Sequence, residues 1–508
     1  MALLNSLLTW WMKKRNHQIE LFLKYPDEVQ QEWFRRLVDT ARYTEWGEKY
    51  DFKSIHSIND FKERVPVQNY DSLKPFVDRL MRGEQNILWP SEIKWFAKSS
   101  GTTAGKSKFI PVSTEAMEEC HYKGGKDLLS IYCNLQPETQ IFNGKGLTMG
   151  GSHHFSGTAD TSYGDISAVL MQNLPFWAQM IRTPDLSIAL MDKWEEKIEK
   201  IVEATKNENV TSISGVPTWT LVLARRLLEV TGKKNLLEVW PNLELFIHGA
   251  VSFTPYREQF RELIPSDSFN YLETYNASEG FFGIQDQLHS QHMLLMLDYG
   301  VFYEFMPMDE YGKENPSTVG LDQVELDKNY ALVISTNAGL WRYLIGDTIR
   351  FTERYPFRFR ITGRTRLFIN AFGEEVIIEN TDRAVEAACE KTGAAVREYM
   401  VAPVYFSGKD NGAHEWVIEF ERPPDNLEEF EYILDRSLKS LNSDYEAKRY
   451  QDMALRKPLV HVVDQGLFYE WLKRNGKLGG QHKVPRLNND RTNLEQLLSI
   501  ATEKASAV

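Results

Sequence analysis

The sequence predicts an α/β fold: a large N-terminal α/β unit with an attached antiparallel sheet or distorted barrel, then a smaller α+β unit. Three features carry that expectation. Between residues 194 and 274, amphipathic helical segments alternate with short apolar runs, the rhythm of helices packed on a mostly parallel sheet. From 292 onward come short β-prone runs at 292–297, 301–306, 331–336 and 357–361, separated by turns such as Tyr311-Gly312-Lys313. Beyond Gly363-Arg364 strands and helices resume for about 145 residues, an independent domain size. The expected units are therefore residues 1–362 and 363–508.

Bulk properties agree. At 508 residues the chain exceeds one compact core, and 42% apolar with 26% charged residues is ordinary for a globular protein. A formal charge of −12 leaves no basic surplus to displace counterions, which argues against broad nucleic-acid binding. Three widely spaced cysteines, Cys120, Cys133 and Cys389, form neither a disulfide framework nor a metal spacing and suit a reducing cytoplasm. The apolar start up to Met12 is too short to span a bilayer. Its basic residues Lys13, Lys14 and Arg15 follow the apolar run instead of preceding it as in a signal peptide. No stable membrane insertion is expected; a helix docked on the body is, with membrane-surface binding as the alternative. A monomer is the default.

In chain order, residues 18–82 read as helical. Pro26-Asp27 opens a segment with Val29, Trp33, Phe34, Leu37 and Ala41 at helical spacing, and Ser57 to Asp60 resembles an N-terminal cap before Phe61. Ser113-Thr114-Glu115 starts a helix to about 132. Helices follow at 194–206, 217–230 and 255–263, with strands at 210–214, 243–248 and 269–274. In the smaller unit strands are predicted at 367–371, 375–378, 397–405, 415–421 and 457–463, with helices at 380–391, 426–441 and 467–474.

The stretch from Lys98 to Lys108, Lys-Ser-Ser-Gly-Thr-Thr-Ala-Gly-Lys-Ser-Lys, places two glycines, five hydroxyls and three lysines between β-prone runs. Glycines let backbone approach a ligand closely, and hydroxyls and ammonium groups donate to phosphate oxygens. It reads as a cradle for nucleotide phosphates; the bland reading is a hairpin loop. A P-loop is disfavoured: it wants glycine at position 100, where Ser100 stands, and a helix after Ser107, where Phe109 to Val112 reads as a strand.

Three more segments bear chemistry. Tyr275-Asn276-Ala277-Ser278-Glu279-Gly280 follows a strand and ends in a carboxylate suited to a hard cation; alone it is as readily a solvated acid or salt-bridge partner. Asp347, closing Arg342-Tyr-Leu-Ile-Gly-Asp347, has two oxygens for a ribose diol, or is a turn former. Residues 475–486 form a basic, glycine-rich loop in which Lys477 and Lys483 compete for attention. His153-His154 and the pair His289 and His292 lack a third metal ligand.

Taken in order, these segments resemble the adenylate-forming superfamily of acyl ligases and luciferases, and their wording resembles the Gretchen Hagen (auxin-responsive) family of acyl-acid amido synthetases. Ser99 to Gly105 with Lys108 matches the family's first motif, Tyr275 to Glu279 its second, Arg342 to Asp347 its third and Gln481-His-Lys-Val-Pro-Arg486 its C-terminal lysine segment. Gly215 to Trp219 and His248 to Tyr256 add support. The departures are Lys106 in place of an acid, Asn276 within a small-residue run, Leu344 for arginine, and a hinge at Gly363 to Leu367 without the usual aspartates.

The resemblance implies the two-domain adenylate-forming architecture and a ligase that uses ATP and Mg²⁺. A small carboxylic acid would become an acyl adenylate, and an amino acid would then take the acyl group with release of AMP. It assigns the β- and γ-phosphates to Ser99, Ser100, Gly101, Thr102, Thr103, Gly105 and Lys108. Mg²⁺ falls to Glu279, and the adenine and α-phosphate side to Tyr275, Asn276, Ala277 and Ser278. The ribose goes to Asp347 with Arg364, and catalysis to Lys483 and Glu279. Coenzyme A as acceptor, and a nucleotide-binding protein without chemistry, are the alternatives.

Overall fold

The computed structural model of the chain describes all residues except 1, 100–107, 152, 156–160, 192, 252, 254–255, 366–367, 407–409, 476–483 and 507–508. Eleven of the described strands make one sheet. On one side Arg182–Thr183, Lys145–Thr148, Val210–Ser214, Leu245–Gly249 and Asn270–Ala277 pair in parallel. Parallel neighbours need crossovers; Trp194–Thr205, Pro217–Thr231 and Arg257–Leu263 lie in them. From Gly280–Ile284 onward every pairing in this sheet is antiparallel, through Met293–Leu295, Phe357–Arg364, Tyr343–Arg354 and Asn329–Thr336 to Val301–Pro307.

The expected antiparallel strands thus form a sheet instead of a barrel, and that sheet is continuous with the parallel one. The reason is local. Ala277 pairs with Gly280, so Ser278 and Glu279 make a two-residue hairpin turn that returns the chain along the last parallel strand. The switch in strand direction therefore occurs at the hairpin carrying Glu279. Tyr343–Arg354 was not among the predicted strands: Gly346, at φ +103°, breaks its alternation.

The cradle stretch is bounded as predicted, by antiparallel strands Trp95–Ser99 and Lys108–Val112 with Ser99 opposite Lys108. A strand instead of a helix follows it, against a P-loop. The next helix differs from expectation: a π-helical segment, Ala116–Tyr122, precedes the α-helix Lys123–Leu135.

The N-terminal helix Ala2–Lys13 docks on the body, with Met12 fully buried. Just beyond it Arg15 donates to both oxygens of buried Asp127 at 2.7 and 2.9 Å and to Asp298 at 2.9 Å. Ser57 caps Ile58–Arg64 in a reciprocal box with Asp60. Ser57→Ala is expected to cost about 1 kcal/mol of stability, read as a small drop in unfolding midpoint.

The C-terminal part pairs Ala395–Val404 with Ala413–Arg422 antiparallel and Leu459–Val463 in parallel, alongside helices Ile378–Thr392 and Leu427–Leu441, close to prediction. Helix Thr492–Ser506 lies outside the predicted elements; its Leu494 and Leu497 are buried with Trp471. One apolar cluster runs from Leu147, Phe246 and Phe253 beneath the parallel strands into Phe372, Phe406 and Trp416. Among the described residues no helix is long and apolar enough to cross a membrane.

Candidate functional site

A cavity of about 680 Å³ lies between the switch hairpin and the C-terminal part. Ser99, Tyr275, Asn276, Ala277, Ser278, Glu279, Asp347 and Arg364 all line it, although they come from four separate stretches of sequence. Lys108 stands opposite Ser99 and is close enough to Glu279, Arg364 and Asp347 for their charges to act on it. Ser100, Gly101, Thr102, Thr103, Gly105 and Lys483 lie outside the described residues, as does Lys477.

Each member is held by its backbone. Asp347 is not a turn former: it sits within Tyr343–Arg354, opposite Arg364 on the neighbouring strand. Tyr275 donates its hydroxyl to Asp347 Oδ2 at 2.6 Å, and Arg364 donates Nε–H to Oδ1 at 2.6 Å. Arg364 also donates to Glu375 of the C-terminal part at 3.2 Å. Both oxygens of Asp347 therefore have protein partners, and each keeps a second lone pair for an outside donor. Burial, reinforced by Asp347, pushes the Tyr275 hydroxyl well up, so it stays protonated and donating.

Glu279, at the hairpin tip, has its carboxyl pKa raised, first by burial, with Lys108 opposing and Asp347 reinforcing the rise. Burial in turn lowers Lys108, with Glu279 opposing. Glu279 makes no ion pair within 4.0 Å among the described residues. A half-buried carboxylate at a cavity wall is chemically suited to a hard cation. No group of three or more His, Cys, Asp or Glu among the described residues is arranged to hold a metal ion.

Arg342, in the same motif, does different work. It is 3% exposed, at φ +43°, and its guanidinium donates to Glu304, to the carbonyls of Lys62 and Val65 and to Thr318. It joins the antiparallel strands to the N-terminal helices and does not line the cavity.

The cavity is also lined by His248 and Phe253, which the resemblance names without a role, and by Arg257, Tyr271 and Glu273, which the sequence does not single out. His248 pairs with Glu273 across two parallel strands and stacks on Phe253 at 4.1 Å. Strand alternation puts residues 271, 273 and 275 on one face; an acid two positions before Tyr275 was the available signal. Burial pushes the Glu273 carboxyl up to about 7, with Arg257 opposing. A carboxyl whose pKa rises from 4.5 to about 7 on folding contributes stability in full below pH 4.5, and that contribution is lost as pH rises through 7. Glu273→Gln is therefore expected to gain thermal stability over the native chain between those values. Parallel melting curves across that range would expose the role as absent.

The family models of the GH3 family N-terminal, central and C-terminal domains match residues 15–269, 294–364 and 379–492. The chain is 24% identical to the indole-3-acetic acid-amido synthetase GH3.3 of Arabidopsis thaliana, over 92% of this chain and 90% of that one. It is 24% identical to the jasmonoyl-L-amino acid synthetase JAR4 of Nicotiana attenuata, over 92% of both. In structure it resembles GH3.15 acyl acid amido synthetase with a TM-score of 0.61 over 95% of each chain, at 17% identity.

Proposed function

Because this chain belongs to the GH3 family, we propose that it is an ATP-dependent acyl-acid amido synthetase. It adenylates a small carboxylic acid with release of pyrophosphate, then passes the acyl group to an amino acid with release of AMP. The observation that carries the reading is the convergence of Ser99, Tyr275 to Glu279, Asp347 and Arg364 on one cavity. The chemistry explains the need for ATP: a carboxylate would have to expel oxide, whereas an acyl adenylate expels AMP.

The cradle from Ser99 to Gly105, with Lys108, receives the β- and γ-phosphates. Tyr275 to Ser278 border the base and α-phosphate. Asp347, oriented by Tyr275 and Arg364, accepts from the ribose hydroxyls. Glu279 fits Mg²⁺ as a single carboxylate ligand, the remaining positions falling to water and phosphate oxygens; bound there, Mg²⁺ supplies charge neutralisation at the phosphates. Lys483 donates to the α-phosphate. We take 1–362 and 363–508 as the two units, with rotation near 362–366 bringing Lys483 over the cavity. A monomer working in the cytoplasm suits the reading, with Cys120, Cys133 and Cys389 all free thiols.

Incubation with ATP, Mg²⁺, mixed acids and either amino acids or coenzyme A tests this by product mass. Amides support it, thioesters redirect it to an acyl-CoA-forming ligase, and no turnover leaves only nucleotide binding. Lys483→Ala is expected to slow adenylation about 10²–10³-fold while nucleotide affinity changes little; unaltered single-turnover rates would remove the role.

A further inference from the structure

Asn276 stands where the related motif carries a small residue, and the structure supplies it with a dedicated partner. It is the penultimate residue of Asn270–Ala277, exposed to the cavity next to the Ser278-Glu279 turn. His121 Nδ1 lies 3.1 Å from its Oδ1. His121 is 5% exposed, near the end of the π-helical segment Ala116–Tyr122. The preceding residue, Cys120, accepts the Phe281 amide at 3.2 Å, and Phe281 is the cross-strand partner of Asn276. Two consecutive residues of an unusual helical turn thus grip both strands of the hairpin that carries Glu279. Such π turns recur at functional sites.

We infer that His121 is a positioning residue, which fixes the Asn276 amide as a hydrogen-bond donor to the anionic oxygen of the reacting centre. Burial draws the His121 imidazolium down to about 4, so the ring is neutral in working conditions. Facing a carbonyl-type oxygen, a neutral ring bonds only with its proton on Nδ1. The Asn276 oxygen is thereby turned toward His121, and its NH₂ group, with no hydrogen-bond partner among the described residues, is left for the cavity. A neutral, preoriented amide is the kind of group that stabilises charge developing on oxygen. Two oxygens acquire such charge in the proposed reaction: one on the α-phosphorus during adenylation, one on the acyl carbon when the amine attacks.

The inference rests on the proposed function, and the experiment separates the two. Pyrophosphate exchange reports adenylation; amide formation from the same acid, with saturating amine, reports transfer. Asn276→Ala is expected to lower kcat of one half-reaction about 10²-fold with KM values little changed. His121→Phe should lower the same step about 10-fold, and His121→Gln, whose amide can still donate to Oδ1, should restore most of the loss. Loss of exchange assigns the donor to the phosphoryl oxygen; loss confined to amide formation assigns it to the acyl oxygen. Variants matching an active native enzyme in both steps would overturn the inference alone. So would His121→Gln as slow as His121→Phe with equally lowered melting temperatures, the mark of a merely structural contact. A native chain that exchanges no label with any acid would overturn the underlying reading as well.

Discussion

Glu279→Gln is expected to slow acyl-adenylate formation by about 10³-fold or more at millimolar Mg²⁺, with part of the rate returning as the cation concentration rises. The substitution keeps the shape of the side chain and removes its charge. The two-residue turn at Ser278 and Glu279 holds the group at the cavity wall, so little rearrangement is open to it. Folding does not confound the test. Burial already disfavours the Glu279 carboxylate, raising its pKa despite Lys108 nearby. For an acid whose pKa is raised on folding, the ionised form near neutral pH destabilises the native state. The glutamine variant should accordingly melt no lower than the native chain at that pH. Pyrophosphate exchange at the native rate, with native Mg²⁺ dependence, would remove Glu279 from the reaction.

Arg342→Met is expected to destabilise the fold by about 3–5 kcal/mol, the usual result of stripping one partner from a buried ion pair. Glu304 is 1% exposed and takes Arg342 Nε at 3.0 Å and Nη2 at 2.9 Å. The carbonyls of Lys62 and Val65 lose donors at 2.9 and 2.7 Å. Lys62, 4.0 Å from Glu304 and itself donating to the Thr318 carbonyl, is too distant to replace the lost bonds. Removing the acid as well, in Arg342→Met with Glu304→Gln, should recover part of the loss. Denaturant midpoints measure both. Well below its melting temperature the single variant should still exchange pyrophosphate, since Arg342 does not line the cavity.

Much of the fold was legible because strand alternation and helical spacing are local. Val210–Ser214 and Leu467–Arg474 lie where the pattern puts them. Tyr343–Arg354 was not legible, because Gly346 interrupts the alternation and the acid after it imitates a turn. Site residues were legible one by one as residue types, and their grouping only through resemblance. That Tyr275 and Arg364 would share Asp347, or that His121 would meet Asn276 from 155 positions away, is settled by register and packing. The π turn that presents His121 has the composition of an ordinary amphipathic helix and leaves no mark in the sequence.

The continuous sheet has a consequence for dissection. The N-terminal family region ends at residue 269, one position before Asn270–Ala277 begins. A fragment stopped there would strip Leu245–Gly249 of its outer neighbour, baring a row of unpaired amides and carbonyls. Apolar edges of that kind recruit further chains. The homology boundary is therefore a poor place to cut, and soluble pieces call for keeping both directions of strand together.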